Sequence, residues 1–258
     1  HEIILATKFG YDFYDAPVRT GHQERPQRFD PQFIRKACEE SLRRFKTDYI
    51  DIYQLHNPRL EIIERDEVFE TLDQLVSEGK IRYYGAALGP DIGWFEEGEA
   101  SMKHRNVSST QIIYSILEQD PARKFFPIAK QEEVGLLSRV PHASEVLTHK
   151  YREPPEFDES DHRAHRKQEW LDAAIKKANS VRFLEAGTGR TLAQAAIKFC
   201  LAQSTLISVL PNITSKDELV EYAAAPDTPD LALDESEKID ELWEEGFYLE
   251  PVGTTSDD

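Results

Sequence analysis

The stretch "DYIDIYQLHNP", Asp48 to Pro58, limits the fold more than any other part of the chain. Tyr49, Asp51, Tyr53 and Leu55 alternate on one face of a strand, with Ile50, Ile52, Gln54 and His56 on the other. Neither face is fully polar, so the strand is buried on both sides, as parallel strands are. Pro58 has no N–H for a ladder and ends it. An ionisable ring therefore stands at the carboxyl end of a buried parallel strand, where α/β folds keep their chemistry.

The same alternation of strand and helix runs along the chain. A short apolar run over 3–7 leads into Lys8-Phe9-Gly10, followed by a polar loop over 11–28 that is too long for a simple connection. Asp30-Pro31 caps a helix whose stripe is Phe33, Ile34, Ala37, Cys38, Leu42 and Phe45. A second helix carries Val68, Phe69, Leu72, Leu75 and Val76 and stops at Gly79. Further strands are expected over 81–88, 110–116, 135–140 and 206–210. Helices are expected over 94–103, 121–133, 167–184, 191–203, 216–224 and 236–245. The segment over 149–165, rich in Pro, Asp, Glu and His, reads as an exposed loop. Six strands separated by helices imply right-handed βαβ units and a parallel sheet. A complete (β/α)8 barrel has eight, and the difference is about 60 residues at about 30 per unit. The abrupt opening "HEIILATKFG" agrees with a barrel that starts at its third strand.

Composition excludes several partners. With 258 residues there is enough chain for one sizeable core, read as a single domain over 1–258. Acidic residues number 48 against 31 basic, a formal charge of −17, which argues against nucleic acid and anionic membrane as partners. Cys38 and Cys200 lie in helical apolar patterns, as buried free thiols would. No run approaches a membrane span and no signal peptide is visible, so a cytoplasmic location is expected. His162 and His165 have no third ligand at a usual spacing, and no metal site is expected.

Lys8 shares a face with Ile4 and Ala6, and His56 ends the next strand. Consecutive strands of a βαβ unit are usually neighbours, so an ammonium and an imidazole should meet at one carboxyl-terminal rim. That pair suits carbonyl chemistry: the ring hydrogen-bonds a substrate oxygen, and the cation lowers the pKa of a nearby acid.

Several motifs carry a resemblance. "ILATKFG", "KACEESLRRFKTDYIDIYQLHNP", "GKIRYYGAALG", "TQIIYSIL", "LLSRVPHAS" and "TLAQAAIKFCLAQSTLISVLPNITSKDELVEYAAA" occur in an order and spacing that resemble the aldo-keto reductases over nearly the whole chain. The resemblance implies a (β/α)8 TIM barrel of aldo-keto reductase type, here a partial barrel. It also implies an oxidoreductase that reduces a small aldehyde or ketone by hydride transfer from NADP in its reduced form, with NAD possible. Lys8 and His56 match the family's lysine and histidine. The tyrosine acid and its aspartate belong upstream of Lys8 in the family pattern. Tyr11 and Tyr14, close behind Lys8, are the substitutes this sequence offers. For the cofactor, Ala87 stands with Leu88 where the family usually has Ser-Asn, and Gln111 matches the glutamine on the nicotinamide amide. Arg139 and Pro141 match the pyrophosphate or ring-stacking segment. The family's adenosine-phosphate positions fall on Asn212, Ile213, Glu218, Glu221 and Tyr222, with Glu218 opposed in charge to a phosphate, while Thr214, Ser215 and Lys216 stand at the helix start that follows, where a phosphate can be bound.

A second reading keeps the barrel as a non-catalytic, nucleotide-binding or regulatory module. A metal-dependent barrel hydrolase would need clustered ligands at strand ends, where His56 stands without companions. Oligomeric state and substrate are not legible.

Overall fold

The computed structural model of the chain describes residues 3–14, 25–89, 94–148, 150–151 and 168–249. The chain divides into two compact units, His1–Ile112 with Asp120–Leu137, and Ile113–Gln119 with Ser138–Asp258.

The first unit holds β1 (Ala6–Phe9), α1 (Pro31–Phe45), β2 (Ile50–His56), α2 (Leu60–Ile63), α3 (Asp66–Ser77), β3 (Ile81–Ala87), α4 (Phe95–His104), most of β4 (Ser109–Ile113), α5 (Ala122–Gln131) and the start of β5 (Gly135–Arg139). Its strands lie in chain order, and β1 to β4 pair in parallel. Helix α1 starts and stops for local reasons. Asp30 accepts from the Phe33 amide at 3.0 Å, Pro31 occupies the first turn, and α1 ends at Lys46 in the left-handed region. Gly79, at φ +73°, lets the chain turn after α3. The short α2 has no side-chain cap and was not expected; four residues are too few to show a period.

Strand β2 is buried on both faces, with only Ile52 and His56 partly accessible. Its one acidic residue, Asp51, is buried and fully used: Oδ2 accepts from the Leu5 amide at 2.9 Å and Oδ1 from Arg82 Nη1 at 2.9 Å. The carboxylate thus ties the start of β1 and the start of β3 to β2. Behind the strands, Phe95 of α4 stacks on Phe125 of α5 at 5.2 Å.

The second unit holds the end of β5, then α6 (Gln168–Ser180), α7 (Leu192–Leu201), β6 (Leu206–Leu210), α8 (Lys216–Ala223) and α9 (Leu233–Glu244). A capping box opens α7: Thr191 Oγ1 accepts from Gln194 N, and Gln194 Oε1 accepts from Thr191 N. Ala193, Ile197, Tyr222 and Ala225 form a small core beneath Val209. Both cysteines are buried free thiols, and burial raises Cys38 to about 11 and Cys200 to about 12. At neutral pH neither is a nucleophile.

Close packing of β3 on β4 depends on Gly85. A Cβ there would lie 2.3 Å from the Ser109 carbonyl oxygen and 2.4 Å from its Oγ. Gly85→Ala is expected to cost about 1–3 kcal/mol of stability, read as a lower urea midpoint. An unchanged midpoint would mean that the two strands part without penalty.

Candidate active site

Parallel register decides what reaches the carboxyl-terminal rim of the first unit. One row aligns Lys8, Gln54, Gly85 and Ser109; the next aligns His56, Ala87 and Gln111. Register partners face the same side, and His56 is two residues beyond Gln54, so both rows share one face. Lys8 and His56 therefore stand on the same face of adjacent strands, as their alternation implied.

Three buried polar atoms on this face have no hydrogen-bond partner: Gln54 Nε2, Ser109 Oγ and Gln111 Oε1. Gln54 is 1% exposed and Gln111 4%. An unmet buried polar atom costs about 1–3 kcal/mol unless something pairs with it. Gln54 was not singled out from the sequence, although a polar residue on the histidine's own face was the available signal.

The end of β2 is held from two sides. The Asn57 amide donates to the Ala87 carbonyl at 2.8 Å, with Asn57 in the left-handed region at φ 52°. Gln27 Nε2 donates to the carbonyls of His56 and Asn57 at 2.9 and 3.1 Å. The Tyr11 ring meets the His56 ring edge-on at 4.8 Å, and its hydroxyl accepts from Asn57 Nδ2 at 2.8 Å. Of the two tyrosines following Lys8, Tyr11 is the one beside the histidine. The Tyr14 hydroxyl instead faces Arg44, and its ring packs on Phe13 and Phe33.

In the second unit, Arg139 ends β5, and the chain then makes a tight turn through buried Pro141. Val140, Ala143, Ser144 and Glu145 all take positive φ, from 46° to 73°, which is unusual for residues with a Cβ and most costly for β-branched Val140. Buried contacts hold this turn. His142, 3% exposed, has its Nε2 3.2 Å from the Ala193 carbonyl and its ring 4.6 Å from that of Tyr222. A carbonyl only accepts, so Nε2 carries the proton in the neutral ring.

Glu145, 6% exposed, accepts from Asn212 Nδ2 at 2.7 Å and pairs with Lys150 at 3.2 Å. Lys150 also pairs with Glu218 Oε1. Glu218 Oε2 accepts from the Thr214 amide at 2.6 Å and the Thr214 hydroxyl at 2.9 Å. Lys150, aided by Thr214, holds the Glu218 carboxyl at about 2 against the cost of its burial. Ser215 caps α8 by accepting from the Glu218 amide. Glu221 Oε1 accepts from Thr191 Oγ1 at 2.6 Å, and its carbonyl from Gln194 Nε2. The expected adenosine-end residues Asn212, Thr214 and Glu218 are thus bonded to one another or to Glu145, while Glu221 is bonded to the start of α7. Glu145, Lys150 and His142 are the partners that sequence reasoning missed. Among the described residues no cluster of His, Cys, Asp and Glu could hold a metal, and no helix is long and apolar enough to cross a membrane. His162 and His165 lie outside the described residues.

Burial holds His142 neutral, lowering its pKa from 6.5 to about 4. Between those values the unfolded chain binds a proton that the folded chain does not. Stability should therefore fall as pH drops through this window, by up to about 3 kcal/mol. Urea unfolding at pH 7, 6 and 5 should show that slope, and His142→Leu should flatten it. A variant with the parent's slope would exclude His142 as the titrating group.

With the geometry described, the chain can be set beside known proteins. The model of the aldo/keto reductase family matches residues 1–244. An uncharacterized oxidoreductase of Bacillus subtilis, YqkF, is 26% identical over 253 residues, 96% of this chain and 76% of that protein. L-Galactose dehydrogenase of Arabidopsis thaliana is 26% identical over 93% of this chain and 71% of its own. The holo form of aldo-keto reductase AKR11C1 from Bacillus halodurans superposes with a TM-score of 0.69 at 28% identity, covering 93% of this chain and 72% of that one. Glycerol dehydrogenase AKR11B4 of Gluconobacter oxydans, at 21% identity, shares the fold with a TM-score of 0.79 over 98% of this chain and 75% of that one. The six-stranded parallel α/β arrangement, with a lysine and a histidine on one face of its strand ends, belongs to a member of the aldo/keto reductase family, an oxidoreductase of the (β/α)-barrel type.

Proposed function

We propose that the intact protein reduces the carbonyl of a small aldehyde or ketone with NAD(P)H, and that Lys8 and His56 serve the carbonyl. The observation that carries this reading is their common face, with the unpaired Oε1 of Gln111 in the histidine's own row. When bound, the dihydronicotinamide supplies the hydride.

His56 donates an imidazole N–H to the carbonyl oxygen, orienting and polarising it. Lys8, one row deeper, puts a positive charge near the oxygen where negative charge develops, and lowers the pKa of the hydroxyl acid that gives that oxygen its proton once the hydride has reached the carbonyl carbon. Tyr11, Asn57 and Gln27 hold the histidine end of β2 in place. Gln111 fits a carboxamide, because its buried acceptor lacks the N–H that such a group carries. Ala87, between His56 and Gln111, keeps bulk off the row and leaves room for a flat ring. Arg139 and Pro141 are the residues proposed for the pyrophosphate, and Asn212, Thr214, Glu218 and Glu221 those for the adenosine end.

The test is a pair of substitutions in the intact protein, His56→Ala and Lys8→Met. With dinucleotide oxidation followed over a panel of aldehydes and ketones, each should lower kcat by about 10²–10⁴-fold. Dinucleotide binding, read by fluorescence, should persist in both. Full turnover in His56→Ala would end this reading.

A further inference from the structure

At the start of α8, in the second unit, what a ligand would meet depends on how the protein spends its own polar groups. A phosphate at the start of a helix that follows a barrel strand is held by backbone amides, hydroxyls and a nearby cation. At the start of α8 several of those donors are committed. The Thr214 amide and hydroxyl both go to Glu218 Oε2. The Ser215 hydroxyl is used in capping the helix. The Lys150 ammonium is shared between Glu218 and Glu145. Asn212 is bonded to the far oxygen of Glu145. Glu145 and Glu218, both buried, thus share the Lys150 ammonium, and Glu218 is only 5% exposed.

Among the described cations of this unit, Arg190 and Lys198 are engaged elsewhere. Arg190 is bound to the carbonyls of Leu184, Pro229 and Asp230 and to Glu235. Lys198 is bound to Asp230 and the Pro226 carbonyl. Lys216, exposed in the first turn of α8, has Asp217 next to it in sequence.

We infer that Glu218 is a built-in anion filling the phosphate subsite at the start of α8, so that the protein prefers NADH to NADPH. This rests on the dinucleotide reading above and narrows it. A 2′-phosphate would have to displace Glu218 from its three donors or lie against its charge, and like charges in contact cost several kcal/mol. The neutral 2′-hydroxyl of NADH meets no such opposition. Because Lys150 holds the Glu218 carboxyl far below neutrality, the block persists at every working pH.

Binding decides the matter without any turnover. Titration of the intact protein with NADH and with NADPH, read by calorimetry, should give NADH the tighter constant by about tenfold or more. Glu218→Gln keeps the side chain's shape and an acceptor for Thr214 but removes the charge and frees Lys150. It should shift the NADPH-to-NADH ratio toward NADPH by about tenfold, with its melting temperature recorded to check folding. Wild-type protein that binds NADPH as tightly as NADH would overturn this inference and leave the dinucleotide reading standing, whether or not the variant folds. Binding of neither would overturn the dinucleotide reading, and this inference with it.

Discussion

Everything at the rim of the first unit depends on the parallel register of β2 with its neighbours. Side chains alternate with a period of two, so a slip of one residue would turn Lys8 away from the face that carries His56. Asp51 is the residue that makes a slip costly. It is buried, and it is satisfied only while the Leu5 amide lies on one side and Arg82 on the other. Losing either partner would leave a buried charge short of hydrogen bonds. Arg82 is itself stacked on Tyr49 at 4.1 Å, so the pinning reaches back to the residue before β2. At the other end the Asn57 amide donates to the Ala87 carbonyl of β3, and Gln27 donates to the carbonyls of His56 and Asn57. The histidine is thus aligned by polar contacts at both ends of its strand, none of which uses the histidine ring.

Legibility followed the range of the interactions. The run over 49–55 announced a doubly buried strand because apolar residues occupied both of its faces, and burial of Ile50, Tyr53, Gln54 and Leu55 agrees. Asp30-Pro31 and Thr191 announced helix starts because a cap is made within three residues. The extent of β4 was overestimated, since 114–116 is as apolar as the strand yet leaves it for a turn in which Ser115 and Glu118 bond to each other. Pro141 announced the end of the strand over 135–140, but the left-handed backbone over 140–145 was not legible. Positive φ is usually announced by glycine, and here Val, Ala, Ser and Glu adopt it. What holds those residues is long-range: His142 on the Ala193 carbonyl and Glu145 on Asn212, 51 and 67 positions away. No local pattern encodes such contacts.

The candidate site divides along the same line. Lys8 and His56 were legible because strand alternation and the adjacency of consecutive strands suffice to put them together. Gln111 needed the family pattern to stand out, and Gln54 was passed over because a glutamine in a strand has no distinctive spacing. For Glu218 the opposition of its charge to a phosphate was legible, but its mode of attachment was not. That attachment uses Lys150, which lies within the segment over 149–165 that reads as an exposed loop and gives no sign of an ion pair to a buried carboxylate.

The strand-end face of the first unit and the start of α8 in the second treat their polar groups in opposite ways, and the contrast bears on what each could accept. In the first, Gln54 Nε2, Ser109 Oγ and Gln111 Oε1 are buried without partners, at a standing cost to the fold. Such a cost is tolerable where binding returns the missing bond, so unspent donors and acceptors mark a surface organised for an incoming polar group. In the second unit, Thr214, Asn212 and Lys150 are spent on Glu218 and Glu145. A cluster satisfied internally gains nothing from a ligand unless that ligand supplies better partners than the ones it displaces. A phosphate offers the same kind of acceptor that Glu218 already provides, at the added expense of unseating a buried carboxylate from its ammonium. Selectivity at such a place comes from what the protein has already bound of itself, and a hydroxyl that competes for none of those donors is the group it can accept.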